Sequence, residues 1–273
     1  MTVRTVRWAL LFVLASATGS FAGGYSDDDH PWDDMSVRLG GFAMRFDTSA
    51  RVDSTMGSIG TDLDLEADTN LDRDTVEIRL DGHVRFGKRH RLDYGVLSIR
   101  RNATRTIDQQ IEFRDVVFDI NSDLSTRLQN DLYKVAYRYD AVRRDRWDLG
   151  VSVGLSAFRI GLDLEATAAG GGPLVAEDED FVAPIPTIGV HADIELARNW
   201  YFRAGGEFFD ISIDDRQGDL LDVRGAVDWY PFRHWGFGIG FNRVRLGYES
   251  HRLPNVDVTY VYSGAMVYAS YVR

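Results

Sequence analysis

From Asp62 to Asp74 a side-chain oxygen stands at every second position: Asp62, Asp64, Glu66, Asp68, Asn70, Asp72 and Asp74. Carboxylate and amide oxygens are the ligands that hard cations take, so Asp62, Asp64, Glu66 and Asp68 are candidates for a Ca2+ or Mg2+ site. The EF-hand pattern fails, because no glycine falls where its sharp turn needs one. The alternation with Leu63, Leu65, Ala67 and Leu71 suits a solvated acidic loop or a strand extension better, and no cofactor is expected beyond that ion. A second candidate is His251, beside Glu249 and Ser250, with Asp210, Asp214 and Asp215 on the preceding outer end. Catalysis needs nucleophile, base and orienting group aligned in space, which adjacency in sequence does not supply. His251 is therefore read as a loop histidine, and the chain as not an enzyme. Gly170, Gly171 and Gly172 lack the Lys-Ser/Thr that completes a phosphate-binding loop. They mark flexibility.

A larger constellation alternates with apolar residues. Glu77, Arg79, Asp81, His83 and Arg85 occupy one parity of their segment, while Val76, Ile78, Leu80 and Val84 occupy the other. Arg91 and Asp93 follow on the next segment, then Lys134 and Arg138, then His191, Asp193 and Glu195. Arg203 and Glu207, and finally Asp222, Arg224 and Asp228, complete the set. Both signs interleave on nearly every segment. Packing so many ions into one face of a soluble sandwich would cost several kcal/mol for each one left unpaired. Lining a lumen, they can pair across the axis. His83 and His191 lack a second His or Cys at ligand spacing and belong to the same hydrogen-bonding network.

The elements that hold these residues have the period of β-strands. Trp147 to Ala157 reads W-D-L-G-V-S-V-G-L-S-A, apolar on one face and small or polar on the other. Similar segments span about 36–46, 75–86, 91–101, 126–140, 147–165, 181–196, 200–213, 220–230, 235–248 and 256–273. Short basic turns alternate with long acidic loops at 47–74, 102–125 and 166–180, and with a compact loop at 214–219. The predicted fold is all-β: a closed antiparallel up-and-down transmembrane β-barrel of about ten strands, with eight or twelve as alternatives. Phe86, Trp147, Trp200, Tyr230, Phe232 and Trp235 cluster at the short turns, forming a periplasmic aromatic girdle where lipid tails meet headgroups. A ten-stranded lumen is narrow and largely filled, which excludes a wide diffusion pore.

Arg4 and Arg7, an apolar run from Trp8 to Ala17, and the small residues up to Ala22 form a signal peptide over residues 1–22. Residues 23–35 read as an acidic periplasmic tail and 36–273 as the barrel. The net charge of −11, which loss of Arg4 and Arg7 would deepen by two, argues against nucleic-acid binding. No cysteine is present, so stability does not rest on disulfides.

From about Ser36 to Arg273 the chain resembles the small outer-membrane β-barrel proteins of Gram-negative bacteria. The resemblance rests on the signal segment, alternating strands, basic short turns, aromatic belts and acidic long loops. It implies an outer-membrane location among lipid and lipopolysaccharide, insertion by the barrel assembly machinery, and a monomer. Such barrels usually end in an aromatic residue, whereas this chain ends Tyr271, Val272, Arg273; Tyr271 is the nearest substitute. The expected function is a structural or surface-interaction role, or a narrow solute pathway. The alternatives are a barrel enzyme similar to omptins or lipid A deacylases, and a soluble periplasmic ligand-binding β-protein.

Overall fold

The structure, a computed structural model, describes residues 34–53, 62–68, 70–106, 111–113, 116–118, 123–167, 173–251 and 255–273. The signal segment and nearly all of the acidic tail lie outside the described residues. Ten long strands form the wall: β1 (Met35–Val52), β2 (Asp74–Arg85), β3 (His90–Thr106), β4 (Asp123–Arg144) and β5 (Trp147–Thr167), then β6 (Pro173–Ala197), β7 (Trp200–Ile213), β8 (Arg216–Trp229), β9 (Trp235–Ser250) and β10 (Val256–Val272). Each pairs antiparallel with its sequence neighbour, and β1 closes on β10 from Ser36↔Val272 to Val52↔Val256. Closure pairs each of the ten strands on both sides through the short-turn part of the wall, and only helices and closed barrels satisfy every backbone group in lipid. Among the described residues no helix is long and apolar enough to cross a membrane.

Strand parity places side chains as the alternation requires. On β5, Trp147, Leu149, Val151, Val153 and Leu155 are exposed on the outer surface, while Asp148, Ser152, Ser156 and Phe158 are buried inside. The outward row turns charged at Arg159, twelve positions past Trp147. About ten residues on a strand tilted by ~45° cross a bilayer, so the apolar part of β5 matches one membrane thickness.

Several loops are more ordered than the sequence suggests. The segment predicted as a compact loop, 214–219, is a two-residue turn, with Ile213 opposite Arg216 and Asp214 at a φ of 51°. β6 begins at Pro173, inside the predicted 166–180 loop, and β1 runs on to Val52 beside β10. At two places the wall parts toward the long-loop end. Pairing of β2 with β3 stops at Arg79↔Leu97, and pairing of β6 with β7 stops at Phe208↔Ile188.

Candidate functional site

The candidate site is the lumen, which is filled in two layers. Toward the short-turn end it is ionic. Asp140 on β4 takes Arg85 at 2.6 Å and its strand neighbour Arg138 at 2.7 Å. Arg138 continues to Asp193 on β6 at 2.9 Å, and Asp193 to Arg91 on β3 at 3.0 Å. Arg91 also holds Asp93 at 2.6 Å. A second group centres on Lys134, which reaches Asp222 at 2.7 Å and Glu207 at 2.8 Å. β4 and β8 stand four strands apart in the wall, so the Lys134–Asp222 pair crosses the lumen. Arg224 holds Glu207 at 2.8 Å, and Asn242 bridges Asp222 to Arg79, which itself clasps Asp81 at 2.8 Å. Arg203 and Tyr268 converge on Asp228, at 2.7 and 2.6 Å.

Side chains of this size meet only because small residues face them. A Cβ at Gly189 would lie 2.5 Å from Glu207 Cγ, well inside van der Waals contact. Ser152 Oγ and His191 Nε2 are 2.8 Å apart, and His83 is buried, so both histidines join the luminal polar network. Within the network lies a cavity of about 110 Å³, lined among others by Arg38, Arg91, Arg138, Arg203, Asp93 and Asp193.

Toward the long-loop end the same inward parity becomes apolar. Phe42, Met44 and Phe46 of β1, Leu97 and Ile99 of β3, Leu128 and Leu132 of β4, Phe158, Leu220, Val244, Leu246, Tyr260 and Tyr262 form one buried cluster. The sequence reading placed ions along the whole lumen. They fill only one end, and apolar side chains close the other.

The Asp62–Asp74 segment is a cap: Leu63 and Asp64 pair with Ala50 and Ser49 as a short strand beside β1, and Asp62, Asn70, Asp72 and Asp74 stay exposed, while the rest of it turns inward. Leu63 and Leu65 are buried, and Leu71 joins the apolar cluster. The two faces of the alternation have different destinations: leucines go into the barrel mouth and acids tie the cap to itself and to the wall. Glu66 Oε1 accepts from Arg101 Nη1 at 2.6 Å, and Glu66 Oε2 accepts from the Thr48 N–H at 2.8 Å. Arg101 also packs over the Phe46 ring at 4.1 Å from its centroid. Asp64 accepts from the Ala67 N–H, Asp68 from the Asp64 N–H, and Asp62 faces Arg51 at 3.3 Å. The four candidate metal ligands thus turn to separate partners, and among the described residues no group of three acidic, His or Cys side chains converges on a metal position.

Of the seventeen predicted luminal residues, Arg79, Asp81, His83, Arg85, Arg91, Asp93, Lys134, Arg138, His191, Asp193, Arg203, Glu207, Asp222, Arg224 and Asp228 lie in the polar layer. Glu77 and Glu195 share its parity but make no ion pair with the layer among the described residues. Glu77 instead accepts from the Arg100 N–H at 3.4 Å, at the parting of β2 and β3. Asp140, Arg38 and Asn242 are members that the predicted set lacked. Asp140 ends the alternation of β4, and Arg38 opens that of β1, so parity extended to the strand ends would have found both.

In the girdle, Phe86, Trp147, Trp200, Phe232 and Trp235 are exposed on the wall. Tyr230 is a correction. It points inward, packing with Tyr201 and Val272, with its hydroxyl 3.4 Å from Arg203. Trp229, on the outward parity, takes the place and stacks on Trp200 with centroids 5.8 Å apart. At the long-loop rim, the His251 N–H donates to the Asp215 carbonyl at 2.8 Å. Among the described residues no side chain hydrogen-bonds to the His251 ring.

Closure, strand order and the two-layer fill define a ten-stranded up-and-down β-barrel with an occluded lumen, the architecture of outer-membrane barrel proteins. Among solved structures the chain is similar to the outer membrane protease OmpT of Escherichia coli, with 9% identity over 88% of this chain and 97% of that one and a TM-score of 0.59. It also matches the toluene transporter TodX of Pseudomonas putida (11% identity, 88% and 90% of the chains, TM-score 0.36). A third match is the attachment invasion locus protein Ail of Yersinia pestis (10%, 86% and 99%, 0.35). No protein-family profile and no curated protein matches the chain. The likeness to OmpT is one of fold.

Proposed function

We propose that the protein is an outer-membrane barrel sealed by its own side chains and first long loop, acting as a structural or surface-interaction element of the envelope. On this reading the signal segment directs export, the barrel assembly machinery inserts the chain as a monomer, and lipid and lipopolysaccharide surround the wall. The observation that carries it is the double seal, a cross-lumen ionic layer beneath an apolar layer with a cap pinned by Glu66 and Arg101. A solute would have to break both. Planar-bilayer recording tests this reading. The unaltered protein is expected to show small or intermittent conductance, and Arg79→Ala with Arg224→Ala is expected to raise it little, because the apolar layer remains. Combining those changes with deletion of residues 62–72 should raise it further. A large steady conductance in the unaltered protein would promote the narrow-pathway reading, for which the 110 Å³ cavity is the supporting feature.

Fractionation tests the location. Recovery in the detergent-free soluble periplasmic fraction would favour the soluble ligand-binding alternative. An enzyme of the long-loop rim remains the reading to test by assay with peptide and lipid A substrates. His251→Ala should abolish any such turnover if that rim carries it.

A further inference from the structure

Arg38 stands on β1 directly opposite Asp81 of β2 on one side and Ser270 of β10 on the other. Opposite charges at facing positions on paired strands attract, but both oxygens of Asp81 are taken by Arg79, at 2.8 and 3.1 Å. The Arg38 guanidinium is left without an acidic partner among the described residues, and its Nε is enclosed without a hydrogen bond. The hydroxyls of Ser36 and Ser270, both on fully buried residues, are enclosed without one as well. Three orphaned polar atoms thus gather at the short-turn end of the wall formed by β10, β1 and β2.

Arg38 faces the cavity of about 110 Å³ in the ionic layer, which seven cations and three carboxylates line. The other six cations are each held by a carboxylate of the layer. Arg38 is the cation left over. Around it stand His83, Tyr94 and Tyr268, and the Tyr94 hydroxyl donates only a long bond, 3.4 Å, to the Ser36 carbonyl. Phe42 and Met266 of the apolar layer border the same cavity, so it is polar on one side and greasy on the other. One water needs ~10–15 Å³ of such space, and the cavity has room for a small ion with a short apolar end.

We propose that this cavity binds one small monocarboxylate, of formate or acetate size, with its two oxygens on the Nε–Nη edge of Arg38. A guanidinium edge offers two parallel donors that match the two oxygens of a carboxylate. One unpaired cation calls for one negative charge, because a second would itself be buried unpaired. The Tyr94 hydroxyl is a third donor, and the methyl group of acetate would turn to Phe42 and Met266. The site goes beyond the sealed-barrel reading and does not depend on it, since no passage through the apolar layer is required.

NMR of the full-length protein, folded in non-ionic micelles and isotopically labelled at arginine nitrogen, tests the proposal at the atom concerned. Sodium acetate is expected to shift saturably one Nε–H resonance, the one that Arg38→Lys removes. Contacts of that proton with the rings of Tyr94 and Tyr268 identify it in the unaltered protein too, should the variant fail to fold. Chloride, which lacks a second oxygen, and sulfate, which carries one charge too many, are each expected to need several-fold higher concentration. Arg38→Lys keeps the charge but loses the fork, and should weaken acetate binding, read from the acetate methyl signal, several-fold. No saturable shift with acetate would overturn the site, and a shift confined to other arginines would overturn its placement. An equal response to chloride would overturn the carboxylate assignment, and tighter binding of sulfate the single-charge argument.

Discussion

Glu66 and Arg101 meet at 2.6 Å with both side chains almost wholly removed from solvent, one from the first long loop and the other from the wall of β3. The contact converts an acidic loop into a lid. Arg101 is fixed further by the Asp72 carbonyl at 3.1 Å and the Thr48 hydroxyl at 3.3 Å, so the cation serves cap and wall together.

Removing one partner of such a pair leaves the other buried and unpaired, which costs ~3–5 kcal/mol. Glu66→Ala is therefore expected to loosen the cap, and Glu66→Ala with Arg101→Met to recover most of the loss. Hydrogen exchange at the Thr48 amide, which donates to Glu66, reads the effect directly. Protection unchanged in Glu66→Ala would show that the leucines alone hold the lid.

Asp193 provides the corresponding test inside the wall. It bridges Arg91 and Arg138, all three buried, and Asp193→Asn is expected to destabilise the barrel by ~3–5 kcal/mol. The Arg45–Asp74 pair, about 70% exposed on both sides, should matter far less, with Asp74→Asn costing under ~1 kcal/mol. Denaturant unfolding in lipid compares them. Similar costs for the two would mean that the luminal network is hydrated and loosely held.

Strand identity and closure were legible because one parity of each strand is continuously apolar, as on β5 from Trp147 to Leu155. The polar layer was legible for the same reason. The apolar layer was harder to see, since on the upper parts of β1 and β3 inward Phe42, Met44, Phe46, Leu97 and Ile99 have outward neighbours such as Ala43, Arg45, Ser98 and Arg100. Periodicity still marks the strand there, but the apolar parity changes sides, and a single inside-outside assignment carried along the whole strand conceals it. The cap failed for a related reason: Leu63 and Leu65 alternate with acids as in a strand, yet a turn at 65–68 and Asn70 at a φ of 60° fold the segment back into the mouth. No local signal distinguishes a leucine waiting for the barrel interior from one in an extended loop. Tyr230 was misplaced by one residue of parity, the smallest error that reverses a side chain.

The exchange of Tyr230 for Trp229 in the girdle is testable by quenching with brominated lipids. A variant whose sole tryptophan is Trp229 is expected to be quenched best by bromines near the headgroups, since that ring lies on the outer surface beside Trp200. Tyr230→Trp as the sole tryptophan should be quenched little at any depth. Strong lipid quenching at position 230 would reverse the assignment.

The last prediction uses depth along a single lipid-facing parity. Val151 lies four positions beyond Trp147, within the apolar band, whereas Val76 lies ten positions from Phe86 and two from charged Asp74. Both are exposed on the wall, so in water alone an arginine at either place would be tolerated alike. In a bilayer, Val151→Arg should cost ~2–4 kcal/mol and Val76→Arg ~0–1 kcal/mol, because a long side chain near the interface reaches headgroup phosphates. Ser152 is a poor control, since it packs against His191 and has no room for a larger group. Val151→Leu, which keeps the surface apolar, should be nearly neutral. Unfolding measured in vesicles gives the three values. Equal costs for the two arginines would place the membrane boundary elsewhere on the wall.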